Sequence, residues 1–246
     1  MSNKYILVVD QGTTRTKATI FDHSGNVISH AYREIKNVFP NPGWVECDAM
    51  KIWISVVDVI TESLIMASLT INDIDSIGIA NQRETTVVWN KKTGKPVYNA
   101  IIWQSKQTVE ICNKVKKYEK EIFKRTGLYV NPYFSASKIR WILDHVKNGQ
   151  KRALKGELVA GTIDSWIIYK LTKHQVFATD YSNASRTLLF NINTLEWDDC
   201  LLKLFNIPRK MLPKVCNSSH DYGPALYFSD SVHITGVAGD QQASMF

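Results

Sequence analysis

A mixed α/β fold with a partly parallel sheet is what this sequence predicts, on three observations. Three β-type runs follow one another at the N-terminus, residues 5–10, 17–22 and 27–34, parted by a loop at Gly12 and a turn over 23–26; such spacing predicts a meander. Beyond them, apolar strand patterns alternate with helical periodicity, the order that builds a parallel or mixed sheet. Finally, three apolar strands end on polar clusters, where open α/β sheets place their ligands.

Each element has its own signal. Pro40, Pro42 and Gly43 mark a loop after the third strand, and Asp48 is an N-cap for a helix running to about residue 68. Trp53, Val56, Val57, Ile60 and Leu64 fall on one face of it. Strands over 75–80 and 85–90 flank Asn81, Gln82, Arg83 and Glu84, and a turn at 91–94 leads to a third run over 97–103. Helical patterns cover 108–124 and 135–146. A short buried strand at 158–161 precedes a helix over 164–171, a polar stretch at 180–186 and a helix near 198–205. The last strand, 232–237, delivers Ala238, Gly239, Asp240, Gln241 and Gln242.

Composition excludes several function classes. With 246 residues, 44% hydrophobic and 22% charged, the chain can bury a sizeable core as one large domain or two small ones. No apolar run is long enough to span a bilayer, and no secretion-type segment follows Met1, so a cytoplasmic protein without membrane insertion is expected. Cys47, Cys112, Cys200 and Cys216 are scattered without metal-ligand spacing and are expected as reduced thiols. The acceptor patterns at Asn183 and Asn217 are then coincidental. The net charge of +7 is spread along the chain, and the cluster at Lys114, Lys116, Lys117 and Lys120 is interleaved with Glu119 and Glu121. That is a solvated helix face, not a nucleic-acid surface; positive charge equally suits an anionic nucleotide.

The polar strand ends carry the chemistry. At the first, Asp10 meets a loop in which Gly12 allows close backbone approach and Thr13 and Thr14 supply hydroxyl donors, a layout suited to phosphate. Asp10 could hold Mg²⁺ against those phosphates. An ordinary hairpin turn fits the same residues. At the second, Arg83 beside Glu84 presents a donor fork and an acceptor, matching neighbouring hydroxyls of a small polyol; a solvated turn with a local ion pair is the alternative. At the third, Asp240 is a candidate general base for a hydroxyl, or an N-cap, or both. Trp103 and Tyr133 could pack on a polyol's carbon side, or simply fill the core. The six histidines form no metal or nucleophile motif and read as surface or structural, with His145 ending a helix.

These residues resemble the N-terminal half of the glycerol-phosphorylating branch of the FGGY carbohydrate kinase family. The likeness runs the length of the chain: DQGTT at 10–14, PGWVE at 42–46, NQRETTVVW at 81–89, YNAIIWQ at 98–104, DYSNASRTLLFNI at 180–192 and GVAGDQQASMF at 236–246. The family signature reads YFSASKIRWILDH at 133–145. NQRE and DQQ resemble the glycerol branch and not the pentulose branch. The resemblance implies an actin-like, sugar-kinase lobe with a ribonuclease-H-like βββαβαβα core, and transfer of the ATP γ-phosphoryl to glycerol. It implies that Arg83, Glu84, Trp103, Tyr133, Asp240 and Gln241 contact glycerol, with Asp240 taking the proton. It also implies that Asp10 positions Mg²⁺, while Gly12, Thr13, Thr14, Arg15 and Lys17 serve the nucleotide.

Two positions depart from the pattern. Arg15 and Lys17 stand where many relatives carry Ser and Arg; Lys17 keeps the charge and loses the guanidinium fork. The resemblance further implies that residues 1–246 form the substrate-side lobe, and that a C-terminal lobe, which would supply the adenine pocket, lies outside this chain. On that expectation the chain alone turns over poorly. A kinase of another polyol or sugar and a non-catalytic glycerol-binding remnant remain the alternatives. Self-association of the chain is compatible with either.

Overall fold

The computed structural model describes residues 5–245, so Met1 to Lys4 and Phe246, the last residue of the GVAGDQQASMF motif, lie outside it. Five strands form the main sheet: β1 (Tyr5–Gln11), β2 (Arg15–Phe21), β3 (Val27–Glu34), β4 (Ile74–Asn81) and, last in the chain, His233–Gly239. The first three are antiparallel, as the meander predicts. β4 runs parallel to β1, and His233–Gly239 runs parallel to β4, giving the order His233–Gly239, β4, β1, β2, β3.

This register builds the site. Asp10 pairs with Ala80 and Ala80 with Ala238; one step on, Gln11 pairs with Asn81 and Asn81 with Gly239. Three stretches far apart in sequence therefore leave the sheet at one edge, and the residues that follow emerge side by side.

Two apolar clusters support it. The first lies between the sheet and helix α1 (Ala49–Met66), whose N-cap Asp48 accepts from Met50 N at 2.8 Å. Ile52, Trp53, Val56, Ile60 and Leu64 are buried at the predicted 3.6-residue spacing. The second gathers around helix α2 (Ser135–His145), which is buried from Ser135 through Leu143. Between the two clusters lie β5 (Val87–Asn90), antiparallel to β6 (Leu158–Gly161), and helix α3 (Ile163–Leu171), whose Trp166 donates from Nε1 to Ala49 O at 3.1 Å. Strand β7 (Ala178–Asp180) then leads into the single-turn helix α4 (Tyr181–Ala184) and pairs with β8 (Lys214–Cys216). β9 is His233–Gly239, and the short helix α5 (Asp240–Ala243) follows it. Among the described residues no helix is long and apolar enough to cross a membrane.

Three expectations need correction. The run 97–103 is a strand only at Ala100–Ile101, which pairs with Glu46–Cys47 and, at Ile101, bridges Thr86, while Tyr98 and Asn99 turn their side chains onto the Glu46 carboxylate, at 2.7 and 3.0 Å. The helix over 108–124 breaks into Val109–Val115 and Glu119–Thr126 across a 3₁₀ turn, Lys116–Tyr118. Cys112, Val115 and Ile122 nonetheless keep one buried face across the break, since seven residues is two helical turns. The polar stretch 180–186 contains α4, capped by the buried Asp180 carboxylate, which accepts from Ser182 N and Asn183 N at 3.0 Å each.

Candidate active site

The loop after β1 is a tight turn fixed on several sides. Gly12 N donates to Arg15 O at 2.8 Å, and a Cβ at Gly12 would sit 3.2 Å from that same oxygen, so glycine suits the position. Gln82 Nε2 donates to Gly12 O and to Gln11 Oε1, both at 3.0 Å, while Gln82 Oε1 accepts from Thr85 Oγ1 at 2.8 Å. Thr13 Oγ1 accepts from Trp103 Nε1 at 2.9 Å, keeping its own hydrogen to donate. The loop is thus tied to the Gln82 turn and to Trp103.

Charge is arranged around Asp10. Lys17 is its cross-strand partner, and Asp10, Arg15, Lys17, His30 and Tyr32 line a cavity of about 290 Å³. Partial desolvation of the Asp10 carboxylate, and after it the negative charge of Asp240, raise its pKa above the ordinary carboxylate value, with Lys17 and Arg15 opposing. Two carboxylates that repel each other beside a loop suited to phosphate fit a cation shared with those phosphates, as Mg²⁺ is commonly held. Among the described residues no group of three or more His, Cys, Asp or Glu side chains could cage a metal by itself.

Arg83 and Glu84, adjacent in sequence, part company in space. Arg83 Nε lies 3.3 Å from Asp240 Oδ1. Its stem crosses the end of β9, where a Cβ at Gly239 would meet Arg83 Cδ at 2.5 Å; only glycine leaves it room. Glu84 takes a left-handed backbone (φ 62°), uncommon for a residue with a side chain, and is buried. Its carboxylate accepts from Arg186 Nε at 2.6 Å. Burial pushes the Glu84 pKa up, against Arg186, Arg83 and Lys138. The local Arg83–Glu84 ion pair considered from sequence is replaced by two pairs, Arg83 with Asp240 at the start of the helix after β9 and Glu84 with Arg186.

Asp240 opens α5, and Gly239 holds the cap position, so the N-cap alternative does not apply. Asp240 Oδ1 accepts from Gln241 N at 2.7 Å, and Gly239 N donates to Ser182 Oγ at 2.7 Å. The Trp103 and Tyr133 rings stand 5.4 Å apart, tilted by 58°, and the Arg186 guanidinium lies 5.8 Å from the Tyr133 ring. Burial, then the Glu84 charge, raise the Tyr133 pKa. Trp103 and Tyr133 border a separate cavity of about 420 Å³ that includes Lys106, Asn131 and Pro132. The acid end and the aromatic end therefore do not share one enclosed pocket. Gln241 is exposed.

Three groups at the site escaped sequence reasoning. Arg186 lies 102 positions from its partner Glu84. Asn183 is paired amide to amide with Asn81, at 2.9 and 3.1 Å, and is anchored to Asp180 at 2.8 Å. Lys138, fully buried, donates to Glu84 O and Tyr133 O. The only signal available was a charge or amide inside an otherwise neutral or apolar segment.

Comparison with known proteins follows the same lines. The profile of the FGGY family of carbohydrate kinases, N-terminal domain, matches residues 5–246. The chain belongs to this family. The chain is 55% identical to a glycerol kinase of Lactobacillus acidophilus, covering all of this chain and 50% of that protein. The crystal structure of Plasmodium falciparum glycerol kinase with ADP superposes with a TM-score of 0.92 at 34% identity, covering 98% of this chain and 49% of that one. A gluconate kinase of Lactobacillus acidophilus matches in fold alone, with a TM-score of 0.85 at 23% identity. The FGGY resemblance and the actin-like, sugar-kinase fold expected from sequence are thereby borne out. This FGGY chain spans about half the length of the curated relatives it matches.

Proposed function

We propose that residues 1–246 are the substrate-side, N-terminal lobe of an ATP-dependent glycerol kinase, which transfers the γ-phosphoryl of ATP to a terminal hydroxyl of glycerol, giving sn-glycerol 3-phosphate. The observation that carries the reading is the parallel register that sends Asp10, the Arg83–Glu84 turn and Asp240 out of one sheet edge. Similarity to proteins named glycerol kinase selects the acceptor.

The residues divide the work. Arg83 offers donors and Glu84 an acceptor to adjacent hydroxyls, Gln241 adds an amide, and the Trp103 and Tyr133 rings cover the carbon side. Asp240 takes the proton of the reacting hydroxyl, while Arg83 beside it holds the carboxylate in place. Thr13 and Thr14 donate to phosphate oxygens, Gly12 admits them closely, and Arg15 and Lys17 offset their charge. Asp10 would hold Mg²⁺, which would supply further charge neutralisation at the phosphates. A C-terminal lobe contributes the adenine pocket and closes over this face, excluding water that would compete as acceptor. ATP is a cytoplasmic metabolite, and we place the activity there.

The test is glycerol binding by calorimetry and ADP release with Mg-ATP, for the chain and its D240N variant, each with and without the C-terminal half of a glycerol kinase. Both proteins are expected to bind glycerol. Release is expected to be slow for the chain alone, to rise when the second half is added, and to fall by roughly 10²–10⁴-fold in D240N. Preference for another polyol or sugar across a substrate panel would overturn the glycerol assignment. Equal release by D240N would remove Asp240 from its role.

A further inference from the structure

Lys138 is the most deeply buried cation at the site, with no exposed surface, on the first turns of α2. Burying a lysine amine is costly unless its donors are satisfied. Its Nζ meets two carbonyl oxygens, Tyr133 O at 2.5 Å and Glu84 O at 3.0 Å. Those two residues bear the phenol and the carboxylate of the candidate polyol site and stand 49 positions apart in sequence. Glu84 O also accepts from Ser135 Oγ at 3.1 Å and, within its own turn, from Thr86 Oγ1 at 3.0 Å. Two donors from α2 therefore converge on the carbonyl of a residue whose left-handed backbone costs roughly 1–2 kcal/mol by itself.

We propose that Lys138 is a positioning residue for polyol recognition: through the main-chain carbonyls of Glu84 and Tyr133 it holds two separate turns in one register, so that carboxylate and ring face the same ligand. It touches the ligand through neither. Desolvation lowers the Lys138 pKa to about 7, with the Glu84 charge, then Cys112, opposing. A neutral amine still carries two N–H donors, enough for both carbonyls, so the clamp survives loss of the charge. Arginine cannot replace it, since a planar fork has no room in a fully enclosed site. The inference rests on the glycerol reading for the identity of the ligand, but not for the geometry of the clamp.

The experiment follows both. Amide hydrogen exchange and glycerol calorimetry are run on the chain and on Lys138→Met, which keeps the stem and removes the donors. Exchange is expected to rise together in the turns at 82–86 and 131–135, with glycerol binding weaker by roughly 10- to 100-fold, the loss of a hydrogen bond to a charged group. A lower melting temperature with unchanged exchange in both turns and unchanged glycerol affinity would make Lys138 merely structural and overturn the proposal. If the unsubstituted chain binds no glycerol while Lys138→Met still loosens both turns, the clamp stands and the glycerol reading falls. Should Lys138→Met fail to fold, Ser135→Ala removes one of the two α2 donors from Glu84 O, leaving Lys138 and the turn's own Thr86. It is expected to loosen the 82–86 turn alone and to weaken glycerol several-fold; no change in that turn would overturn the proposal.

Discussion

The sheet that carries Asp10 and Asp240 and the wall that carries Glu84 and Tyr133 rest on different cores. In the sheet, alternation along β1 and β2 puts Leu7, Val9, Ala18 and Ile20 inside, and α1 covers them with residues at helical spacing. Most of the burial there follows a periodic pattern, supplemented by buried hydroxyl bonds from Thr16 to Ser55 and from Ser29 to Ser63 O, both at 2.7 Å. Around α2, burial comes from short pieces: Val88, Ile101, Ile122, Phe134 and Leu188 belong to separate segments, and α2 hides Ser137 and Lys138 alongside Ile139 and Ile142. What orders this wall is a set of polar cross-links over long sequence separations, Glu84 to Arg186, Glu84 to Lys138 and Asn81 to Asn183. The proposed reacting groups stand on a floor built mainly by periodic packing, with a few buried hydroxyl links, while the proposed polyol wall depends on side chains that pin loops together.

The strongest way to break that contrast is Arg186→Ala. It leaves the Glu84 carboxylate buried without its guanidinium, and removing one partner of a buried pair costs about 3–5 kcal/mol. Arg186 is itself a quarter exposed, so the low end applies. The expected result is a loss of roughly 3 kcal/mol in denaturant unfolding, together with markedly weaker glycerol binding. Unchanged glycerol affinity would show that the wall keeps its shape without this link.

A matched pair of cavities sharpens the comparison. Ile60 on α1 and Ile142 on α2 are both fully buried, one in each core. Either change to alanine is expected to cost about 2–5 kcal/mol. Ile142 lies one turn beyond Lys138 on the same helix face, so Ile142→Ala should also weaken glycerol binding, whereas Ile60→Ala should leave it within about twofold. Equal effects on affinity would mean that the two cores act as one.

Legibility from sequence divides along the same line. β3 and β6 carry the predicted bounds, Asp48 caps α1 as expected, and the three polar strand ends meet because parallel register is what apolar strands with helical crossovers produce. The wall was harder to read. Nothing local in 97–103 shows that Tyr98 and Asn99 will turn to Glu46, and nothing near Arg186 names Glu84 as its partner. Periodicity reports what an element buries; it is silent on which distant carbonyl or carboxylate a buried donor will find. Arg83 and Glu84 illustrate the limit, since adjacency suggested one ion pair and the left-handed backbone at Glu84 sends the two side chains to different partners.

The subtlest expected effect lies where the two regions join and appears as a slope in pH. Asp164, fully buried in the first turn of α3, accepts from Thr162 and from Thr179 of β7, each at 2.5 Å. Burial, then the Asp180 charge, push its pKa up from 3.8 to about 7. The folded state therefore keeps a proton between about pH 4 and 7 that the unfolded chain has released. This group's contribution is full below the unfolded value and is lost as pH rises through the folded one. Lys138 acts in the opposite sense: its pKa is lowered from 10.5 to about 7, so its contribution grows as pH rises from about 7 towards 10.5. The two groups thus contribute slopes of opposite sign on either side of neutrality. Asp164→Asn keeps a neutral group that can accept from one threonine and donate to the other, so it should flatten the acid limb and leave the alkaline limb as it was. Melting temperatures of the two proteins across pH 4.5–10 check this. A difference between them that does not vary below pH 7 would mean that Asp164 is ionised in the fold, its burial offset by the two threonine hydroxyls.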